Sequence, residues 1–74
     1  MKHSMRIMGR SGDVAVKWDT ETPTEVEEAR KSFVEKMKSG MLAFEVAPDT
    51  KESKQVTKFN PDADMVLVPQ ISGG

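Results

Sequence analysis

The run Met65-Val66-Leu67-Val68 constrains the fold of this chain most strongly, because it is apolar at four consecutive positions. A strand with one face in water alternates apolar and polar residues, whereas a strand apolar on both sides is typical of the middle of a sheet. We therefore predict that the last strand of the chain is central. This placement implies pairing with the first strand, in parallel if a helix crosses over between them.

A helix is predicted between Thr22 and Gly40. Pro23 suits the first helical position, where its missing N–H costs nothing. Thr22 and Glu25 match a capping box, and a second register of the same motif begins two residues later. One apolar stripe follows at spacings of three and four residues, formed by Val26, Ala29, Phe33 and Met37. Gly40 is expected to end the helix.

Alternating patterns predict the remaining strands. Residues 5–8 form a short extended candidate, residues 9–13 are rich in turn formers, and residues 14–18 alternate, so we predict an antiparallel hairpin. Residues 42–46 alternate again, with Leu42, Phe44 and Val46 facing one way. Residues 55–59 are a candidate edge strand. Trp18 is expected in or beside the core.

Length and composition exclude several classes of function. A chain of 74 residues forms one domain and buries only about 60% of its unfolded surface, so a large internal substrate cavity is not expected. The net charge of −1, with interspersed signs, gives a nucleic acid little to bind. No apolar run approaches the ~20 residues of a membrane span. Without cysteine, and with a single histidine, no metal site is predicted.

These observations predict a cytoplasmic monomer that contacts neither nucleic acid nor membrane. Residues 1–4 are expected to be a flexible extension, either native or left from cloning. His3 falls in that segment and receives no function.

The end of the sequence carries a motif. The turn Asp62-Ala63-Asp64 leads into the apolar run and then into Pro69-Gln70-Ile71-Ser72-Gly73-Gly74. With a hairpin, one helix, a strand, a weak fourth strand and a central last strand before it, the chain resembles the ubiquitin-like β-grasp family. It is most similar to the prokaryotic sulfur-carrier branch, which includes the molybdopterin synthase small subunit and the thiamine-pathway carrier.

The resemblance implies an α+β fold of the β-grasp type, with a mixed four- to five-stranded sheet packed on one main helix. Residues 5–69 would form the single domain and residues 70–74 a flexible tail. Gly73 and Gly74 would be the site of activation, with Pro69 stiffening the base of the tail and Ile71 anchoring it in an apolar slot.

The resemblance also implies partners. An adenylating enzyme of the ubiquitin-activating type would use ATP and magnesium to activate the terminal carboxylate. A downstream sulfur-accepting enzyme or a target protein would then receive the product. The chain itself would bind no cofactor, supply no catalytic group and not be an enzyme.

Two alternatives remain open at this stage. The Gly-Gly pair is either functional or simply a chain end. If Met65 and Leu67 face the helix, then Val66 and Val68 face outward and Met8 joins them, which forms an apolar surface for a protein partner. The alternative function is thus a non-catalytic β-grasp interaction module that binds through its open sheet face. The alternative interpretation is that Val66 and Val68 occur there only because valine favours strands.

Overall fold

A computed structural model describes residues 1–9, 12–47, 49–50 and 52–70. The fold is α+β, with one helix packed on a five-stranded mixed sheet. The elements are β1 (Lys2–Gly9), β2 (Gly12–Asp19), α1 (Pro23–Lys38), β3 (Leu42–Val46), β4 (Ser53–Val56) and β5 (Asp64–Val68). The strand order across the sheet is β2-β1-β5-β3-β4.

The central position predicted for the last strand is confirmed. β5 lies between β1, to which it is parallel with Met5 opposite Met65, and β3, to which it is antiparallel with Ala43 opposite Leu67. The parallel pairing requires a crossover, and α1 lies in the connection that supplies it. β5 is therefore paired along both edges. Of its apolar residues, Met65 and Leu67 are buried and Val66 and Val68 are half-buried.

The hairpin is confirmed as an antiparallel β1–β2 pair, but β1 begins earlier than predicted. The strand starts at Lys2 rather than at Met5, so the expectation of a flexible segment over residues 1–4 is corrected. The carboxylate of Asp64 accepts a hydrogen bond from the backbone N–H of Ser4 at 3.0 Å and lies 3.1 Å from Nδ1 of His3. These contacts come from a residue 60 positions away, which local patterns do not reveal.

The helix has the predicted stripe and ends, with a different contact at its start. Thr22 is the N-cap residue but makes no side-chain capping bond, so the predicted capping box does not form. The Glu25 carboxylate instead accepts a hydrogen bond from the backbone N–H of Asp19 at 2.9 Å. At the other end Gly40 has a φ of 98°, and Met41 N–H donates to the carbonyl of Lys36, which is a Schellman ending.

The core lies between α1 and one face of the sheet. Eight apolar side chains are buried there: Met5, Ile7, Trp18, Ala29, Phe33, Ala43, Met65 and Leu67. Trp18 is the largest of them, as predicted for a core residue, and its indole N–H donates to the carbonyl of Pro61 at 2.9 Å. Phe59 packs between Trp18 and Phe33, with ring centroids 5.2 and 5.7 Å away.

The second half of the sheet agrees with prediction on β3 and differs from it in the bounds of β4. Ala43 is the β3 residue in the core, so Leu42, Phe44 and Val46 share the opposite face. β4 is an edge strand, as expected, but it spans Ser53–Val56 instead of residues 55–59. Phe59 leaves the strand because its ring fills the space between Trp18 and the helix. In the described part of the chain, α1 is too short and too polar to cross a membrane.

Candidate functional site: the helix-free face of the sheet

The face of the sheet opposite α1, called here the helix-free face, carries a contiguous apolar patch. Successive strand residues point to opposite faces, so the neighbours of the buried Met65 and Leu67 project away from the helix. The β3–β5 register sets Phe44 opposite Val66 and Leu42 opposite Val68. The apolar patch consists of Met8, Leu42, Phe44, Val46, Val66 and Val68.

Exposure distinguishes this patch from the core. Met8 is 37% exposed, and the other five side chains are half-buried rather than fully covered. A sheet open on one side normally presents polar residues to water. A contiguous apolar area on such a face tends to mark a protein-binding site.

The charged residues of the same face lie on β1 and β2. Arg6 sits in register between Val66 of β5 and Ala15 of β2, and Lys17 lies opposite Ser4. Both cations are exposed, and neither forms a salt bridge with another described residue. The helix-free face is thus apolar over β3 and β5 and charged on β1 and β2, where Asp13 shares it with the two cations.

A second candidate is a cleft at the start of β1, whose polar side chains make contacts within the fold. It is an open cleft of about 490 Å³ lined by residues that include His3, Trp18, Asp19 and Asp64. The His3 side chain is only 12% exposed and lies with its ring 6.2 Å from that of Trp18. His3 and Asp64 tie the first residues of β1 to the first residue of β5. Among the described residues no group of three His, Cys, Asp or Glu side chains is placed to hold a metal ion.

Perturbed ionisation occurs away from the apolar patch. The backbone N–H of Glu21 donates to the Asp19 carboxylate at 3.0 Å and lowers the pKa of that group, with help from the amino group of Met1 at 3.1 Å. On the helix surface, a hydrogen bond from Arg30 lowers the pKa of Glu27 and raises the pKa of Arg30. These are exposed ion pairs, so they give no indication of a catalytic acid or base.

The predicted site residues divide into those that the structure brings together and those outside the described part. Met8, Val66 and Val68 share the helix-free face. Pro69 follows β5 directly and is exposed. Ile71, Gly73 and Gly74 lie outside the described residues.

Sequence reasoning missed the contribution of β3 to the patch. Alternation showed that Leu42, Phe44 and Val46 share a face, but it did not show which face the helix covers. No signal within residues 42–46 decides it, because the side that the helix covers depends on contacts between segments far apart in the sequence. Comparison of the chain with protein-family models, curated proteins and solved structures found no match.

Proposed function

We propose that the chain is a small ubiquitin-like protein whose terminal Gly74 carboxylate is adenylated by a partner enzyme. The observation that carries the proposal is the position of β5. The central strand runs directly into Pro69, and the Gly73-Gly74 pair follows a few residues later in the sequence. A strand fixed on both sides by β1 and β3 gives the segment after it a rigid base.

The topology supports assignment to the β-grasp fold. A hairpin, a crossover helix and a last strand inserted parallel to the first are the arrangement expected of that fold. The strand order β2-β1-β5-β3-β4 agrees with it. The agreement extends over the whole of the described chain, so it does not depend on the tail.

The chemistry requires an activating partner because a carboxylate is a poor electrophile. An α-carboxyl group with a pKa of ~3.5 is fully ionised in the cell. Attack of this carboxylate on the α-phosphorus of ATP forms the acyl-adenylate and releases pyrophosphate, with magnesium held by the partner. Hydrosulfide then displaces AMP to give a thiocarboxylate, or a cysteine thiolate displaces AMP to form a thioester, from which the acyl group passes to an amine as the thiolate leaves. Because it uses ATP, the reaction is proposed to take place in the cytoplasm.

This chain contributes access and docking to the reaction. Glycines without Cβ atoms adopt backbone angles closed to other residues, which suits a tail that enters a narrow channel. Pro69 restricts the backbone at the base of the tail, and Ile71 is available as an apolar anchor. The apolar patch with Met8, Val66 and Val68 would dock the activating enzyme.

The test is the intact mass of the protein recovered from the cells that encode it, with an affinity tag joined to Met1 through a flexible linker. Replacement of one oxygen by sulfur at the C-terminus would support a sulfur carrier, and larger adducts through Gly74 would support a protein modifier. Gly74→Ala and deletion of Gly74 should leave the fold intact and abolish both products. Equal modification of either variant would contradict the proposal.

The second candidate is a non-covalent interaction module. It is favoured by the apolar patch, which does not include any residue of the tail. A homogeneous free acid under varied growth conditions, together with a partner that binds wild type and not Val68→Asp, would support this module instead.

A further inference from the structure

The outer edge of β2 has backbone groups available for pairing. β2 is the first strand in the sheet order, so one of its edges pairs with β1 and the other edge has no neighbouring strand. The N–H of Thr20 donates to the carbonyl of Met1 at 3.0 Å, and this bond continues the β1–β2 ladder. Because the direction of backbone groups alternates along a strand, the N–H and C=O groups of Asp13, Ala15 and Lys17 point outward.

An independent contact supports this direction. The backbone N–H of Asp19, two residues beyond Lys17, donates away from β1 to the Glu25 carboxylate at 2.9 Å. Within the described residues, the backbone groups of Asp13, Ala15 and Lys17 have no backbone partner outside the strands. A sheet edge of this kind is a template for another strand unless it is blocked by charge or covered.

The residues along this edge form a self-complementary pattern. The segment Asp13-Val14-Ala15-Val16-Lys17 has opposite charges at its two ends, two valines inside them and alanine at the centre. Read antiparallel against itself about Ala15, it places aspartate opposite lysine at both ends. Opposite charges directly across an antiparallel pair stabilise it, and like charges destabilise it.

We propose that β2 pairs antiparallel with β2 of a second copy of this chain, with the two-fold axis at Ala15. The outward groups of Ala15 would exchange hydrogen bonds across the axis. Asp13 would lie opposite Lys17 of the second copy, and Lys17 opposite its Asp13. Both ion pairs fall on the helix-free face, because Asp13, Ala15 and Lys17 are in register with Met8, Arg6 and Ser4.

The other face of the pair explains an exposed apolar side chain. Val14 is 60% exposed although it belongs to the same side of β2 as the buried Trp18. In the proposed register Val14 lies opposite Val16 of the second copy. Cross-strand contact between β-branched side chains would remove part of that apolar surface from water.

The charges also select the register. A shift of two residues toward the end of β2 would set Asp13 opposite Asp19 of the second copy and leave Lys17 opposite alanine. A shift of one residue would set residues whose backbone groups point toward the partner opposite residues whose groups point away from it. It would also place the side chains of the second copy on the opposite face of the sheet. The register centred on Ala15 is the one that combines paired charges with matched hydrogen bonds.

Pairing of two short strands buries less surface than the ~1,600 Å² of a standard stable interface. The expected dimer is therefore weak and dependent on concentration. It departs from the monomer expected from the sequence, and it does not depend on Gly74, so the two proposals stand or fall separately.

Charge reversal provides a sharp test by sedimentation equilibrium over a range of chain concentrations. Wild type should move from the mass of one 8.2 kDa chain toward twice that value as concentration rises. Lys17→Asp and Asp13→Lys each turn two attractions into two repulsions, so each should raise the dissociation constant by about tenfold or more. An equimolar mixture of the two variants should associate again, because their heterodimer restores both opposite-charge pairs.

Lys58→Asp and Asp62→Lys are matched controls, since they make the same charge changes at exposed positions outside the strands. They should associate like wild type, and circular dichroism should show all four variants folded. Amide exchange at Ala15 should also slow as the concentration of wild type rises. A single-chain mass up to about 1 mM, or dimerisation unaffected by the reversals at positions 13 and 17, would overturn the proposal.

Discussion

The two faces of the sheet use the same strands for different purposes. On the helix-covered face every buried apolar side chain is at most 7% exposed, and α1 contributes Ala29 and Phe33 to close the layer. On the helix-free face the apolar strand neighbours of those residues on β3 and β5 remain half-buried, and Met8 on β1 is exposed. This difference shows that hydrophobicity alone does not identify the core of this chain, because the position of α1 determines which face of the sheet is buried.

β5 shows the contrast within adjacent residues. Leu67 is fully buried under α1, while Val68 lies on the helix-free face beside Leu42. Both are aliphatic residues of the central strand. Their chemical similarity makes them the best pair for separating a folding role from a binding role.

The largest predicted effect follows from the same substitution at these two positions. Leu67→Asp would bury an unpaired carboxylate and should cost about 4 kcal/mol or more, a large part of the stability of a small domain. Val68→Asp leaves its charge near water and should cost about 1 kcal/mol, mainly through lost β-propensity. Urea unfolding measures both, and equal destabilisation would show that the helix-free face is also core.

Local signals predicted much of this fold. Pro23 at one end and Gly40 at the other predict the helix, because each residue favours a backbone conformation found at a helix end. The central position of β5 followed from the absence of any polar residue in Met65-Val66-Leu67-Val68. Each of these features is encoded within a few residues, which is why sequence reasoning reached them.

The failures involve contacts that the local motifs do not contain, most of them between segments far apart in the sequence. Lys2 and Ser4 have no apolar alternation, and they enter β1 because Asp64 binds Ser4 and pairs with His3. The Glu25 carboxylate bonds to Asp19 instead of closing a capping box with Thr22. For the candidate site, alternation placed Val66 and Val68 together, but the β3 half of the apolar patch required knowledge of where α1 lies.

A smaller difference between two variants is predicted at Trp18, where the core reaches the edge of the sheet. Trp18→Ala removes the ring between β2 and Phe59 and should cost about 3–5 kcal/mol. Trp18→Phe keeps an aromatic ring but leaves the Pro61 carbonyl without its indole donor, so it should cost about 1–3 kcal/mol. Thermal unfolding compares the two variants, and an equal loss for both would show that the hydrogen bond, rather than packing, dominates this contact.

The smallest effect concerns the exposed carboxylate of Asp19. Its folded pKa is lowered from 3.8 by the Glu21 N–H, so it stabilises the folded state above pH 3.8 and loses this contribution as the pH falls through the lower folded value. An NMR titration of the side-chain carboxyl carbon should give a midpoint below 3.8. Asp19→Asn should reduce the loss of stability on acidification in that range. A midpoint at or above 3.8 would contradict the assignment.

We propose that the helix-free face docks the partner that activates Gly74. The most direct test is the intact mass of wild type and of Val68→Asp, each recovered from the cells that encode the protein. We expect a C-terminal thiocarboxylate or larger adduct on wild type and a folded, unmodified free acid for Val68→Asp. Equal modification of the two chains, or a wild-type chain that always carries a free acid, would contradict it.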